Sequence, residues 1–214
     1  MLTTVLVVAA AVTVVAVTLH RYRAAYDRLI VLGATIKFRG PGWARTLSAD
    51  KPLPGIDDVT AIELPDGAAD EASFPVIAGC LRHFPELKTL RLTGATISDA
   101  QSPMFASFGA RLETLDLSRA NVGDAAARHL RHMTRLRRLD LSGTRITDES
   151  LPALAELKAL QQLNLDHTSV GNDGIVRLGG LSQLRELNVA DTGVTDEGVE
   201  RLHALLPNAE IYDD

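Results

Sequence analysis

From Leu112 onward the chain repeats one arrangement of apolar and polar positions. Leu112, Leu115 and Leu117 begin it, and Leu136, Leu139 and Leu141, then Leu160, Leu163 and Leu165, then Leu184, Leu187 and Val189 repeat it at intervals of 24 residues. Alternation within each group places its apolar residues on one side of an extended segment and its polar residues on the other. A turn then returns one more apolar residue inward: Val122, Ile146, Val170 and Val194. Asp124, Asp148, Asn172 and Asp196 follow, with Thr147 and Thr195 just before two of them, and such acceptor side chains suit a helix start. Beyond them Leu151, Leu154 and Leu157, Ile175, Leu178 and Leu181, and Val199, Leu202 and Leu205 recur at helical spacing. One short strand and one short helix cannot close a core alone, whereas stacked copies bury a continuous one.

Two looser copies precede these four. Val59-Thr-Ala-Ile62-Glu-Leu64 and Leu87-Lys-Thr-Leu90-Arg-Leu92 are followed by the next copy after 28 and 25 residues. The excess is expected to bulge on the helix side, because the strands must stay in register. Asn208-Ala-Glu-Ile211 begins a seventh copy, which Pro207 and Asp213-Asp214 give a polar stop.

The residues from Val59 to Tyr212 match the pattern LxxLxLxx(N/C/T)x(I/V) followed by an acidic residue and a helix. In this the chain resembles the leucine-rich repeat family, in the form that carries a helix in every turn. The resemblance implies an α/β solenoid, a curved parallel sheet with helices on the convex face, that serves as a binding surface and needs no cofactor. At the position where the family often has Asn or Cys, this chain has Thr144, Thr168 and Thr192, and Ala95 and Ala120 earlier. A threonine hydroxyl there is expected to bond a neighbouring turn's backbone; the alanine turns should be held less firmly or be satisfied by water.

The start of the chain follows a different rule. Leu2 to Leu19 holds Leu, Val, Ala and four threonines, with no charge, glycine or proline. As a helix it would span roughly 27 Å, close to the hydrocarbon thickness of a bilayer. A cleaved signal peptide is the alternative, but its apolar run is usually shorter and follows positive charge. A transmembrane anchor over residues 1–20 is therefore the expectation. Arg21, Arg23, Arg28, Lys37 and Arg39 flank the span against Asp27 alone, which places the repeats on the cytoplasmic side. Residues 21–58 then read as a cap for the open end of the stack. Tyr22, Tyr26, Leu29 and Ile30 share one helix face that Gly33 ends, Thr35 to Phe38 alternates as a strand, and Phe38 and Trp43 would cover the first turn of a repeat domain over 59–214. A helix leading to Leu-Gly-Ala-Thr-Ile and then a tryptophan resembles membrane-anchored bacterial leucine-rich repeat proteins of unassigned role.

Composition adds little to this. The formal net charge of −5 and the lack of stacking aromatics argue against nucleic acid, although Arg128, Arg131, Arg135, Arg137 and Arg138 fall within eleven residues. Contact with a membrane surface suits that basic run better. One cysteine, Cys80, excludes an internal disulfide and lies in an apolar run that predicts a buried thiol. No catalytic constellation stands, and no metal set either. His129 and His132 are flanked by arginines, and Asn172-Asp-Gly174 is the usual helix-start slot of its repeat.

The polar positions between the leucines are the candidate binding surface. They predict one column across the sheet, Glu63, Arg91, Asp116, Asp140, Asn164 and Asn188, beside a second of Thr89, Thr114, Arg138, Gln162 and Glu186. This face contains no aromatic residue by that count, so Arg91 and Arg138 are its candidate anchors. Adjacent Asp116 and Asp140 could serve acid–base chemistry; neutralisation by Arg91 and Arg138 in a surface network is the preferred reading. Arg91, Asp116, Arg138, Asp140 and Asn164 are thus the expected site for a protein partner. Like charges on adjacent strands destabilise a sheet, so removal of one carboxylate is expected to be neutral or slightly stabilising. An adaptor of an enzyme complex is the alternative, since the repeats also resemble those of F-box leucine-rich repeat receptors; no F-box sequence lies before them.

Overall fold

The computed structural model describes residues 20–21, 23–38 and 59–213. Helical residues 23–31 (α1) lead into β1 (Thr35–Phe38), and the repeats follow. Their strands are β2 (Val59–Glu63), β3 (Thr89–Arg91), β4 (Thr114–Asp116), β5 (Arg138–Asp140), β6 (Gln162–Asn164), β7 (Glu186–Asn188) and β8 (Glu210–Tyr212). Together with β1 they form one sheet in chain order. The repeat strands pair in parallel, while β1 runs antiparallel to β2, so the edge departs from the all-parallel expectation. Ile62, Leu90, Leu115, Leu139, Leu163, Leu187 and Ile211 stand opposite one another across the sheet. Leu139 is 2% exposed between Leu115 and Leu163, as the 24-residue spacing predicts.

Opposite the strands lie α2 (Phe74–Leu81), α3 (Asp124–Leu130), α4 (Leu151–Leu154), α5 (Asn172–Ile175) and α6 (Asp196–Leu205). The extra residues of the long early copies do sit on this side. A 3-10 segment at Ser102–Arg111 buries Phe105 and Phe108, whose rings meet Phe74 at centroid distances of 5.4 and 6.4 Å. A broad aromatic group therefore fills what four-residue helices fill in later turns. Cys80 is buried in α2, as its apolar run predicts.

Two polar columns behave differently from the expectation. Thr144, Thr168 and Thr192 donate to Leu141, Leu165 and Val189 within their own turns, each at 2.5 Å, and not to the neighbouring turn. The alanine turns are joined to their neighbours through the backbone next to each alanine: Thr96 N–H donates to Ala69 O at 2.8 Å and Asn121 N–H to Ala95 O at 2.7 Å. The acidic column does not cap its own helices either, since α3, α5 and α6 carry no side-chain cap. Asp124, Asp148 and Asn172 reach forward one turn instead. Asp124 accepts from Thr147 N–H at 2.9 Å, from Thr147 Oγ1 at 2.8 Å and from Ser150 Oγ at 2.5 Å. Asp148 accepts from Gly171 N–H at 2.7 Å, and Asn172 from Thr195 N–H at 2.9 Å. Gly174 and Gly198 follow from this, because a Cβ at either would collide with the Asp148 or Asn172 side chain.

At the other end α1 packs on the first turn through Ala25 and Leu29, with Tyr26 against Phe38 at 6.3 Å between ring centroids. Ile30, expected on the apolar face, is 45% exposed, because burial follows the i, i+4 pair Ala25 and Leu29. Gly33 ends the helix at φ 78°, its N–H bonding Ile30 O and the Ala34 N–H bonding Leu29 O. Trp43, Tyr22 and the apolar stretch Leu2–Leu19 lie outside the described residues. No helix among the described residues is long and apolar enough to cross a membrane.

The forward-reaching acids yield a pH test. Burial pushes the Asp124 carboxyl up, but the Ser150 and Thr147 hydrogen bonds and the Arg128 charge together hold it below the ordinary aspartate range. A lowered folded-state pKa gives stability that is present above the unfolded value and fades as pH falls through the folded one. Asp124→Ala should cost about 1–3 kcal/mol at neutral pH. The difference between the thermal melts of the two proteins should begin to shrink as pH falls below about 4 and go on shrinking into stronger acid; a difference that stays constant into acid would contradict the role given to Asp124.

Candidate functional site

The concave face is the outer side of the strands, and alternation along each strand decides which residues reach it. The predicted columns are realised pair by pair. Glu63, Arg91, Asp116, Asp140, Asn164 and Asn188 stand opposite one another, as do Thr89, Thr114, Arg138, Gln162 and Glu186. Arg91, Asp116, Arg138, Asp140 and Asn164 line one shallow depression.

Tyr212 belongs to this face as well, opposite Asn188 and 51% exposed. The sequence hides it, because Asp213-Asp214 mark a polar stop just after Ile211, whereas β8 pairs through Tyr212. Its hydroxyl donates to Glu210 Oε2 at 2.8 Å, and that bond, with the Glu210 charge, raises its pKa.

The paired aspartates have a structural job. Asp116 Oδ1 accepts from Ser118 N–H at 3.0 Å and from Ser118 Oγ at 2.6 Å; Asp140 does the same with Ser142 at 2.9 and 2.6 Å. Asn164 and Asn188 hold Asp166 N–H and Ala190 N–H in the same way, each at 3.0 Å. The column is Asp or Asn because its side-chain oxygen closes the turn after each strand. The second oxygens face along the row, Asp116 Oδ2 toward Arg91 Nε at 3.8 Å and Asp140 Oδ2 toward Asn164 Nδ2 at 3.5 Å. Arg91 thus neutralises Asp116 as expected. Arg138 forms no ion pair among the described residues and stands exposed beside Asp140.

The basic run divides in space. Arg138 points to the concave face, whereas Arg128 lies on α3 and Arg131 follows it. Arg135 and Arg137 lie near Glu113, whose carboxyl is lowered first by its hydrogen bond from Lys88 and then by these charges. Sequence proximity therefore overstated that cluster.

One column escaped sequence reading altogether. Gly94, Arg119, Gly143, His167 and Asp191 occupy the same turn position with φ between 49° and 64°. Three of them are not glycine, which is costly in the left-handed region. Arg119 extends over Gly94 to Asp66, Nη2 to Oδ2 at 2.8 Å, and a Cβ at Gly94 would collide with Asp66. His167 Nδ1 meets Asp166 Oδ1 at 2.6 Å and Nε2 meets Asp191 Oδ2 at 3.4 Å. The Asp166 bond and the two carboxylate charges raise the His167 pKa. Donor atoms of Asp166, His167 and Asp191 lie within 4.8 Å of one another, a group of potential metal ligands that the sequence reading did not assemble. A metal would take one ring nitrogen and displace an existing ion pair; among the described residues His129 and His132 join no such group. Glycine and non-glycine residues alternating at one turn position were the available signal.

Comparison with known proteins agrees with this geometry. Two family patterns, each described as leucine rich repeat, match residues 110–170 and 181–202. No curated protein matches the chain. Among solved structures, internalin C2 of Listeria monocytogenes is similar with a TM-score of 0.58 and 26% identity over 76% of this chain. This chain spans 65% of that internalin's length. A leucine-rich repeat protein of Leptospira interrogans gives a TM-score of 0.49 at 22% identity, over 62% of this chain and 32% of its own. The regular period, the parallel register, the two matched patterns and the likeness to internalin C2 agree in identifying leucine-rich repeats in this chain.

Proposed function

We propose that this chain is a membrane-anchored interaction module that binds a protein partner through its concave face. Leucine-rich repeat domains serve in general as protein-interaction modules. The observation that carries the reading is Arg138, an exposed guanidinium with no carboxylate partner among the described residues, beside the acceptors of Asp140 and Asn164 that the turns already hold in place. Fixed acceptors lose little freedom on binding, which favours recognition. Tyr212 at the end of the row adds an aromatic of the kind that anchors interfaces. The partner would present a carboxylate to Arg138 and donors to the Asp140–Asn164 edge. Anchoring rests on the uncharged Leu2–Leu19 stretch, and the arginines after it favour a cytoplasmic repeat domain.

Anchor and sidedness are tested together. The full chain should stay with membranes through an alkaline carbonate wash; release into the supernatant would sink the anchor. A cysteine added after Asp214 should resist an impermeant maleimide in intact cells and react once they are opened, since buried Cys80 does not compete. Labelling in intact cells would place the repeats outside.

The concave face calls for variants that leave the turns intact. Asp140→Ala would remove the acceptor of Ser142 N–H, so it is no longer expected to be neutral. Asp140→Asn keeps that acceptor, as Asn164 and Asn188 do one and two turns on. Arg138→Gln with Asp140→Asn should abolish partner capture from detergent extracts at an unchanged thermal midpoint, because losing a buried interface charge pair costs about 2–5 kcal/mol. Arg128→Gln with Arg131→Gln on the helix side should leave capture intact. The reverse pattern would move the working surface to the convex side.

A further inference from the structure

A second concavity lies between α1 and α2, away from the sheet face. His20, Arg21, Arg28, Arg82 and His83 line it, with the Cys80 thiol among them and no carboxylate in the lining. Among the described residues none of the three arginines appears in an ion pair with a carboxylate. Three arginines around one hollow, with no carboxylate partner among the described residues, stand out in a chain whose net charge is −5. Small residues make the space: Ala24, Ala25 and Gly79 line it, and a Cβ built on Gly79 meets nothing within 4 Å. The ionisable groups inside respond to the crowding. Burial holds His83 below the ordinary histidine range, and the charges of Arg82 and Arg21 push the same way. Burial pushes the Cys80 thiol up, while Arg28 pulls against it.

What adjoins the hollow is apolar and exposed. Arg28 and Val76 also line a neighbouring groove with Val31 and Leu32; Val31 is 85% exposed, Val76 42% and nearby Ile30 45%. Asp27 faces that groove, not the basic hollow. His20 is the first residue after the uncharged Leu2–Leu19 stretch.

We infer that the hollow between α1 and α2 seats a phosphate-bearing anion, supplied by the headgroup of an anionic phospholipid, with Val31 and Val76 against the apolar part of the bilayer surface. Guanidinium groups bind phosphate oxygens through paired, charge-assisted N–H donors, and three of them can surround one headgroup. The exposed valines favour a lipid over a soluble phosphate, which would have no use for them. The lipid source rests on the anchor proposed above, since that anchor would hold the hollow at headgroup depth.

The test uses the full chain in vesicles and detergent. Flotation with pure phosphatidylcholine vesicles reads the anchor alone; a chain that fails to float there breaks the anchor reading. Phosphatidylglycerol retained over phosphatidylcholine, read by native mass spectrometry from mixed micelles, reads the hollow. The wild-type preference should be about tenfold or more. Gly79→Glu, which places a carboxylate in open space without touching the core, should reduce it to no preference, as should Arg28→Gln with Arg82→Gln. Arg128→Gln with Arg131→Gln removes equal charge elsewhere and should leave it unchanged. Equal retention of phosphatidylglycerol by wild type and Gly79→Glu would overturn the inference, as would an equal loss in the Arg128 and Arg131 control. Should inorganic phosphate raise the wild-type thermal midpoint, but not that of Gly79→Glu, while no lipid preference exists, the anion is soluble and the lipid assignment fails.

Discussion

Every turn of this protein depends on its neighbours to exclude water from its leucines. A turn of about two dozen residues supplies a three-residue strand and, in places, a four-residue helix. Neither is stable alone. Stability comes from the unbroken apolar row that runs from Ile62 through Leu139 to Ile211, with Leu141 and Leu165 behind it. The ends of such a row are its weak points. The structure closes the first with α1 and an antiparallel β1, which covers the exposed edge of β2.

Polar residues follow the same logic of neighbour dependence. Asp124, Asp148 and Asn172 spend their acceptors on the next turn's backbone, and Asp116 and Asp140 spend theirs on the turn after their own strand. Much of what looks like surface chemistry in the sequence therefore holds the backbone. What remains for recognition is the part of each side chain the fold does not use: the outer carboxylate oxygens, the Arg138 guanidinium and the Tyr212 ring. Rigid acceptors beside an exposed guanidinium form a face of mixed charge.

The strand register was legible to the residue, because period-2 alternation and a 24-residue repeat leave no freedom to slip. Arg91, Asp116, Arg138, Asp140 and Asn164 accordingly share the face their spacing predicts. The roles of side chains were less legible. Asp124 reads equally well as a helix cap or a bridge to the next turn, and only three-dimensional distance decides between them. Thr144 could reach either turn, and it donates to the Leu141 carbonyl of its own turn. Tyr212 was hidden by the short final copy. The left-handed column was hidden because arginine, histidine and aspartate rarely occupy such positions. The hollow between α1 and α2 joins residues more than fifty apart in the chain, beyond the reach of any local pattern.

The dependence of each turn on its neighbours is tested most directly at Leu139, enclosed by Leu115 and Leu163 in the middle of the row. Equilibrium denaturation of Leu139→Ala should show a loss of about 2–5 kcal/mol, because the cavity cannot collapse between two fixed strands. An unchanged denaturation midpoint would mean that the leucine row does not hold the turns together.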